Sequence, residues 1–399
     1  MVTVSTTPAA KRQLLSPTAA AFLAFIPTGI VNVLLGPLLP ALSTRWAMSD
    51  AQAGRLFTVV FLASTLGVLC SGVLIPRLGY RVVLALGLLC MAAGMFVLPL
   101  GSLVSGVAAI ACYGAGFGIA IPTANLMVAQ ANPDRKASAL NLLNFSWSVG
   151  AVACPILVSY FLHIGQISTF LAAVSASLVL VGILIAMTPM APAASAPPST
   201  PSTQSLLQLL RTPAALALAT LFFVYVGTEN GVGGWLATYA KRMLDTTSAN
   251  WVTTPSYFYA MLLVGRLFVP ALLKRVAELQ VARGGIAIAW IGVALLMTSR
   301  SIPAVRVSAC LIGLGLAAIY PITIALLSNT FGSDANRLGS VMFALAGVGA
   351  ACVPWMVGSL STALTSLRLG LTVPLAGCAI MLLLYLRKWG TPAQVTTSG

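Results

Sequence analysis

The chain has 399 residues, of which 59% are hydrophobic and only 7% charged. Water-soluble domains carry about 25% charged residues and disordered chains are poor in hydrophobic ones, so both classes are excluded. The formal charge of +15 rests on so few ionisable residues that it reads as topogenic Lys and Arg in membrane loops, not as a nucleic-acid surface.

Apolar runs bounded by charges or turn residues lie near 18–42, 54–76, 82–100, 104–131, 137–162 and 168–188. They recur near 213–240, 251–273, 284–299, 304–331, 338–361 and 367–386. A helical span needs about 20 residues, and backbone inside a bilayer is helical or a closed barrel. The pattern predicts an all-α integral membrane protein of twelve helices, six plus six. The stretch 189–205, rich in Pro, Ala, Ser and Thr, cannot pack a core and is expected to be a flexible loop. The expected division is 1–188, a linker 189–212, and 213–399.

The first apolar run is longer than the core of a signal peptide and has no clear cleavage site, so it reads as helix 1. With the N-terminus inside, thirteen Lys/Arg fall on the inner side and seven on the outer, with Arg266 inside a helix. This asymmetry predicts both termini in the cytoplasm of a multi-pass protein of the cytoplasmic (inner) membrane. The seven cysteines lack zinc or CxxC spacing and read as packing residues. The single His163 is assigned to a solvated loop, and no metal site is expected.

The two halves repeat one another. At a shift of 199, Gly114, Gly116, Pro122, Gly150 and Pro155 fall on Gly313, Gly315, Pro321, Gly349 and Pro354. At a shift of 198, Gly29, Asn32, Gly36, Gly67 and Arg77 fall on Gly227, Asn230, Gly234, Gly265 and Arg275. Two six-helix units insert in parallel, related by an axis along the membrane normal, and such halves rock about a site near the bilayer midplane. Glycines let helices approach closely, and mid-helix prolines free a carbonyl.

Along its whole length the chain resembles a major facilitator superfamily transporter. Gly72, Arg77, Gly79 and Arg81 match the superfamily's cytoplasmic signature G-x3-D-R-x-G-x-R, with Pro76 where the signature has Asp. The resemblance implies that this loop is a gating latch between the halves, weakened here. Leu140 to Ala151, Thr123 to Asn125, and the run from Gly227 through Glu229 to Gly233, Gly234 and Trp235 are similar to the branch of fucose, galactose and glucose symporters. Against that branch, its helix 1 Asp aligns with Gly36, and its helix 4 acid has no counterpart around Ile121 and Pro122. Proton symport by that recipe is not expected. The helix 5 antiporter signature is incomplete around Pro155. The resemblance also implies a working monomer.

Of the six acids, five are assigned to loops: Asp50 and Asp245 outside, Asp134, Glu278 and Asp334 inside. Glu229 alone falls within a span. A carboxylate there costs about 2.5–3.5 kcal/mol on insertion scales, so a water-filled cavity, a partner or a solute must compensate it. It is assigned to H+ or Na+ coupling, or to accepting hydrogen bonds from solute hydroxyls, ahead of a purely structural ion pair. Arg266 could pair with Glu229 or bind an anion, but snorkelling toward Lys274 and Arg275 is weighted slightly ahead. Candidate solute contacts are Asn32, Asn125, Asn144, Trp147, Tyr225, Asn230, Tyr259, Tyr320 and Phe343. Amides and hydroxyls bond neutral polyols, and rings stack on the apolar face of a sugar. Each of these residues has a packing role as its alternative.

The expected function is secondary, or uncoupled facilitative, transport of a sugar or similar small polar solute by alternating access. The alternative is efflux of amphipathic drugs or metabolites. No nucleotide-binding loop, metal cluster or nucleophile triad is found, so neither an enzyme nor an ATP-driven pump is expected, and no cofactor beyond a coupling ion.

Overall fold

The computed structural model describes residues 16–188, 205–243, 249–387 and 389. The expected linker therefore lies outside the described residues up to 204, as do Lys11, Arg12, Asp245 and Lys388. Just beyond it, Leu206–Leu210 is a short helix opened by a Ser205–Gln208 capping box.

Ten described helices are long and apolar enough to span a membrane, and the bent pair Pro17–Val33 and Leu35–Arg45 forms one more span, α1. The helix Asp50–Val97 has 48 residues. At about 1.5 Å per residue it is more than twice as long as a hydrocarbon layer is thick, about 30 Å, so it counts as two spans. They divide at Gly79, whose φ of 76° and ψ of 164° no β-carbon-bearing residue adopts cheaply. The spans are thus α1, α2 (50–78), α3 (80–97), α4 (Leu103–Ala131), α5 (Lys136–His163) and α6 (Ile167–Met187). The second set is α7 (Pro213–Met243), α8 (Thr254–Leu272), α9 (Glu278–Thr298), α10 (Ile302–Leu316 and Ile319–Phe331), α11 (Ala335–Ala363) and α12 (Leu367–Leu386).

Three boundaries differ from the sequence reading. Asp50 opens α2 instead of lying in a loop, because Ser49 and Gln52 cap one another there and the helix N-terminus favours an acid. Helix α9 starts at Glu278, six residues early, so Glu278 and Arg283 are helical, and the Arg283 guanidinium bonds the Tyr385 carbonyl at 3.0 Å. His163 is the last residue of α5, not a loop residue.

Two breaks have one cause. Pro37 has no N–H for the Val33 carbonyl, and α1 bends by 42° there. Pro321 likewise leaves the Ala317 carbonyl free where α10 is interrupted.

The repeat is realised as equivalent packing. Gly67 lets α2 onto Ala115 of α4, and Gly265 lets α8 onto Leu314 and Ala317 of α10. Gly29 admits the Trp147 backbone of α5, and Gly227 the Gly349 backbone of α11. The halves meet through α1 against α7, α2 against α11 and α5 against α8. The last two are exchanged by the repeat, and α1 and α7 are exchanged with each other. The mates Gly36 and Gly234 touch at the axis, where a β-carbon on Gly36 would come within 3.1 Å of the Gly234 α-carbon.

Candidate functional site

Phe222, Tyr225 and Glu229 are spaced three and four apart, which stacks them on one face of α7. Phe222 and Tyr225 are fully buried. Tyr259 and Arg266, two turns apart, present one face of α8. Arg266 Nη2 lies 3.9 Å from Glu229 Oε1, and the two side chains are 29% and 15% exposed. The guanidinium is therefore turned to Glu229 and not to the surface beside Lys274, against the weighting the sequence suggests. Pairing offsets the cost of holding each charge within the membrane, where both are only partly exposed.

Helices α10 and α11 close the cluster with rings. Tyr225 stacks on Tyr320 with centroids 5.8 Å apart. Phe222 meets Tyr320 edge-on at 5.9 Å and Phe343 edge-on at 5.6 Å. The charges of Glu229 and Arg266 act on the hydroxyls of Tyr225 and Tyr320, and that of Glu229 also acts on Tyr259. At 3.9 Å the ion pair is too long for a hydrogen bond. Glu229 and Arg266 therefore make no hydrogen bond to each other, and the buried Tyr225 hydroxyl lies within reach of both without good hydrogen-bond geometry to either. The cluster thus holds a carboxylate, a guanidinium and a phenol whose hydrogen-bonding capacity is unspent, against an aromatic wall.

The structure unites six of the sequence candidates: Tyr225, Glu229, Tyr259, Arg266, Tyr320 and Phe343. Phe222 joins the rings and was missed, although its spacing to Tyr225 and Glu229 was readable. The candidates of the first half make no hydrogen bond, ion pair or ring contact with this cluster among the described residues. Asn125 donates to the Ile121 carbonyl at 2.8 Å and Asn144 to the Leu140 carbonyl at 2.9 Å, each within its own helix. Asn230 does the same with Val226 at 2.8 Å. Each keeps its amide oxygen and one N–H. Trp147 is half-buried, with its backbone against Gly29, and the half-buried Asn32 side chain has no hydrogen bond among the described residues.

The contacts between halves lie toward one end, that of the Trp46 turn. Arg242 grips Asp50 with both nitrogens, and Ser361 donates to the same carboxylate. The Ala51 N–H donates to Thr362 at 2.8 Å, Thr58 to the Ala351 carbonyl at 2.9 Å, and Ser256 of α8 to the Val152 carbonyl of α5 at 2.9 Å. At the opposite end Gly72 is exposed with open space around it, and Arg77 and Arg81 are exposed. Their side chains, like those of Lys274 and Arg275, make no hydrogen bond or ion pair among the described residues. The molecule is clasped at the Trp46 end and parted at the end carrying the signature loop. The clasp was missed because Asp50 had been assigned to a loop.

The family model of the Major Facilitator Superfamily matches residues 21–354. The chain belongs to the Major Facilitator Superfamily. It is a multi-pass membrane transporter, not an enzyme, built as two six-helix bundles. No curated protein matches it. Among solved structures, a bacterial homologue of the human lysosomal transporter Spinster, inward-facing and unoccupied, is 14% identical; 94% of this chain and 98% of that one align with a TM-score of 0.77. A D-xylose-proton symporter is 15% identical over 94% and 97% of the two chains, with a TM-score of 0.76. The E. coli fucose:proton symporter FucP is 19% identical over 94% and 99%, with a TM-score of 0.64, and its outward conformation scores 0.63.

Proposed function

We propose that this superfamily member is a secondary transporter of a hydroxyl-rich, sugar-like solute, that Glu229 and Arg266 lie at its solute and coupling site, and that it works as a monomer. The observation that carries the reading is the α7–α8 ion pair with unspent hydrogen bonds beside the ring wall of Tyr225, Tyr320 and Phe343. Rings offer a face to the C–H side of a sugar, while Glu229, Arg266 and the part-free amides address its hydroxyls. The proton symport named for the fucose and xylose structures supports coupling by analogy of fold.

The bundles of 1–188 and 213–399 rock about the Gly36–Gly234 contact. With both termini in the cytoplasm of the inner membrane, as the Lys/Arg asymmetry favours, the clasped Trp46 end is the outer one and the conformation is inward-open. The larger overlap with an inward-facing structure than with an outward one is in keeping with this.

The test is uptake into proteoliposomes from a panel of sugars, polyols and dyes, with and without a pH or Na+ gradient. Uptake of a hydroxylated solute that Glu229→Gln loses only under a gradient supports coupling through that carboxylate. Unaltered uptake by Glu229→Gln in every regime removes it from coupling. Concentrative dye export would replace the reading with efflux.

A further inference from the structure

Resting on the reading of the α7–α8 cluster as the solute site, we propose that the solute is a hydroxylated monocarboxylate, a sugar acid, whose carboxylate docks on Arg266 and displaces Glu229, which enters the cycle protonated.

The argument starts from the guanidinium. It offers five N–H donors in a planar fork that matches a carboxylate bidentately. Within the membrane such a group is retained only if its charge and donors are answered. Here Glu229 answers the charge from 3.9 Å and none of the donors. The buried Tyr225 hydroxyl lies beside both charged groups without good hydrogen-bond geometry to either, and is a further donor for the same incoming oxygen. A neutral polyol would leave the pair as it is and compete poorly with it. A carboxylate can replace it with charge-assisted bonds.

Charge balance then assigns the proton. Two carboxylates and one guanidinium leave one excess negative charge in a poorly solvating cleft. One proton taken from bulk onto Glu229 restores neutrality, and the solute anion and that proton cross together with no net charge. The groups acting on Glu229 are Tyr225 on its own helix, Tyr259 and Arg266 on α8, and Tyr320 on α10. The arginines of α1, α11 and α12 (Arg45, Arg337 and Arg368) sit at helix ends. The remaining titratable side chains of α11 and α12 are Cys352, Cys378 and Tyr385, the last hydrogen-bonded to Thr323 at 2.7 Å.

A separate feature points to the same sign of charge. A pocket of about 380 Å³ at the Trp46 end is lined by Tyr239, Ser366 and three arginines, Arg242, Arg300 and Arg368. Arg242 is neutralised by Asp50, whereas Arg300 is exposed and Arg368, which bonds the Ser299 carbonyl at 3.0 Å and acts on the Tyr239 hydroxyl, pairs with no carboxylate among the described residues. Clefts lined by one sign of charge concentrate counter-ions.

The experiment is equilibrium binding and uptake of radiolabelled D-gluconate and D-glucose by the full chain in proteoliposomes between pH 5 and 8. Gluconate is expected to bind about ten-fold tighter than glucose, to be taken up faster as external pH falls, and to move without membrane-potential dependence. Arg266→Lys, which keeps the charge but not the fork, is expected to weaken gluconate binding about ten-fold. Glu229→Gln is expected to bind gluconate with its pH dependence flattened. Monodispersity and melting temperature of both variants separate loss of fold from loss of binding. Glucose bound as tightly as gluconate, or gluconate binding indifferent to Arg266→Lys, overturns the inference and leaves the neutral-solute reading standing. Binding of neither compound overturns both.

Discussion

Glu229 and Arg266 show how scarcity of charge exposes function. With 6 acids in 399 residues, one that falls within a span is conspicuous, and a simple chain pass finds it. Its partner is harder to read. Position along α8 tells how deep Arg266 lies but not which neighbour its face meets, so the sequence tips slightly toward snorkelling, and only the placement of α7 against α8 shows the pair. Breaking the pair leaves one charge uncompensated. Arg266→Gln should cost about 2 kcal/mol, below the 3–5 typical of buried pairs because both side chains keep some water contact. The double variant Arg266→Gln with Glu229→Gln should recover most of that loss, and thermal unfolding in detergent is the measurement. A double variant as unstable as the single one would mean that packing, not charge, holds the site. Tyr225→Phe removes a buried hydroxyl with no well-formed hydrogen bond, so it should be neutral or slightly stabilising in the same assay. It should nonetheless weaken solute binding, a split that a merely structural tyrosine would not produce.

Element boundaries were legible where hydrophobic runs ended on Gly, Pro or charge, and less so where a cap or a polar first turn belonged to the helix. The start of α2 at Asp50 was hidden because an acid beside a loop looks solvated, although the Ser49 and Gln52 pattern marks a helix N-terminus. The start of α9 was hidden because Glu278 and Arg283 interrupt the apolar run; a surface turn accommodates both charges and the Tyr385 carbonyl takes the arginine. Glycine spacing revealed the repeat, while the contacts that explain each pair required the folded helices. Gly36 is one of the repeat positions that bear on transport, because its neighbours Gly233 and Gly234 belong to the other half. A β-carbon there would stand 3.0–3.2 Å from three backbone atoms. Gly36→Val should therefore push α1 from α7 and slow transport several-fold, with expression and melting temperature little changed. The measurement is initial uptake rate per folded protein; an unchanged rate would show that the axis tolerates a wider gap than the packing suggests.

Across the whole molecule, the clasp at the Trp46 end joins the two halves in the conformation described. Asp50 holds Arg242 and Ser361 together, joining α2 to α7 and α11. Arg242 is 48% exposed, so the ion pair alone contributes less than about 1 kcal/mol, and the hydrogen bonds to a carboxylate add about 1.5–3. Asp50→Asn keeps an oxygen acceptor and loses the charge assistance, about 1.4 kcal/mol, so it should shift the population toward the form opened at that end by about ten-fold. Distance distributions between spin labels on the Trp46-side ends of α2 and α11 would register the shift, and an unmoved distribution would assign closure to helix packing alone. Conversely, a disulfide between Ala51→Cys and Thr362→Cys should stop transport under oxidation and release it on reduction, since the native backbone and hydroxyl are already 2.8 Å apart.

The sequence by itself determined the number of spans, the duplication and the lone intramembrane carboxylate. A hydrocarbon layer imposes length, apolarity and internally satisfied backbone on any chain that crosses it, and those demands are written along the chain. Only the tertiary structure decided that Arg266 faces Glu229, that Phe222 completes the ring wall, that Gly36 meets its own repeat mate, and that the halves close at the Trp46 end. Each of these depends on the rotation and tilt of one helix against another. That geometry is set by the packing of all the helices at once and is not encoded in the period of any one of them.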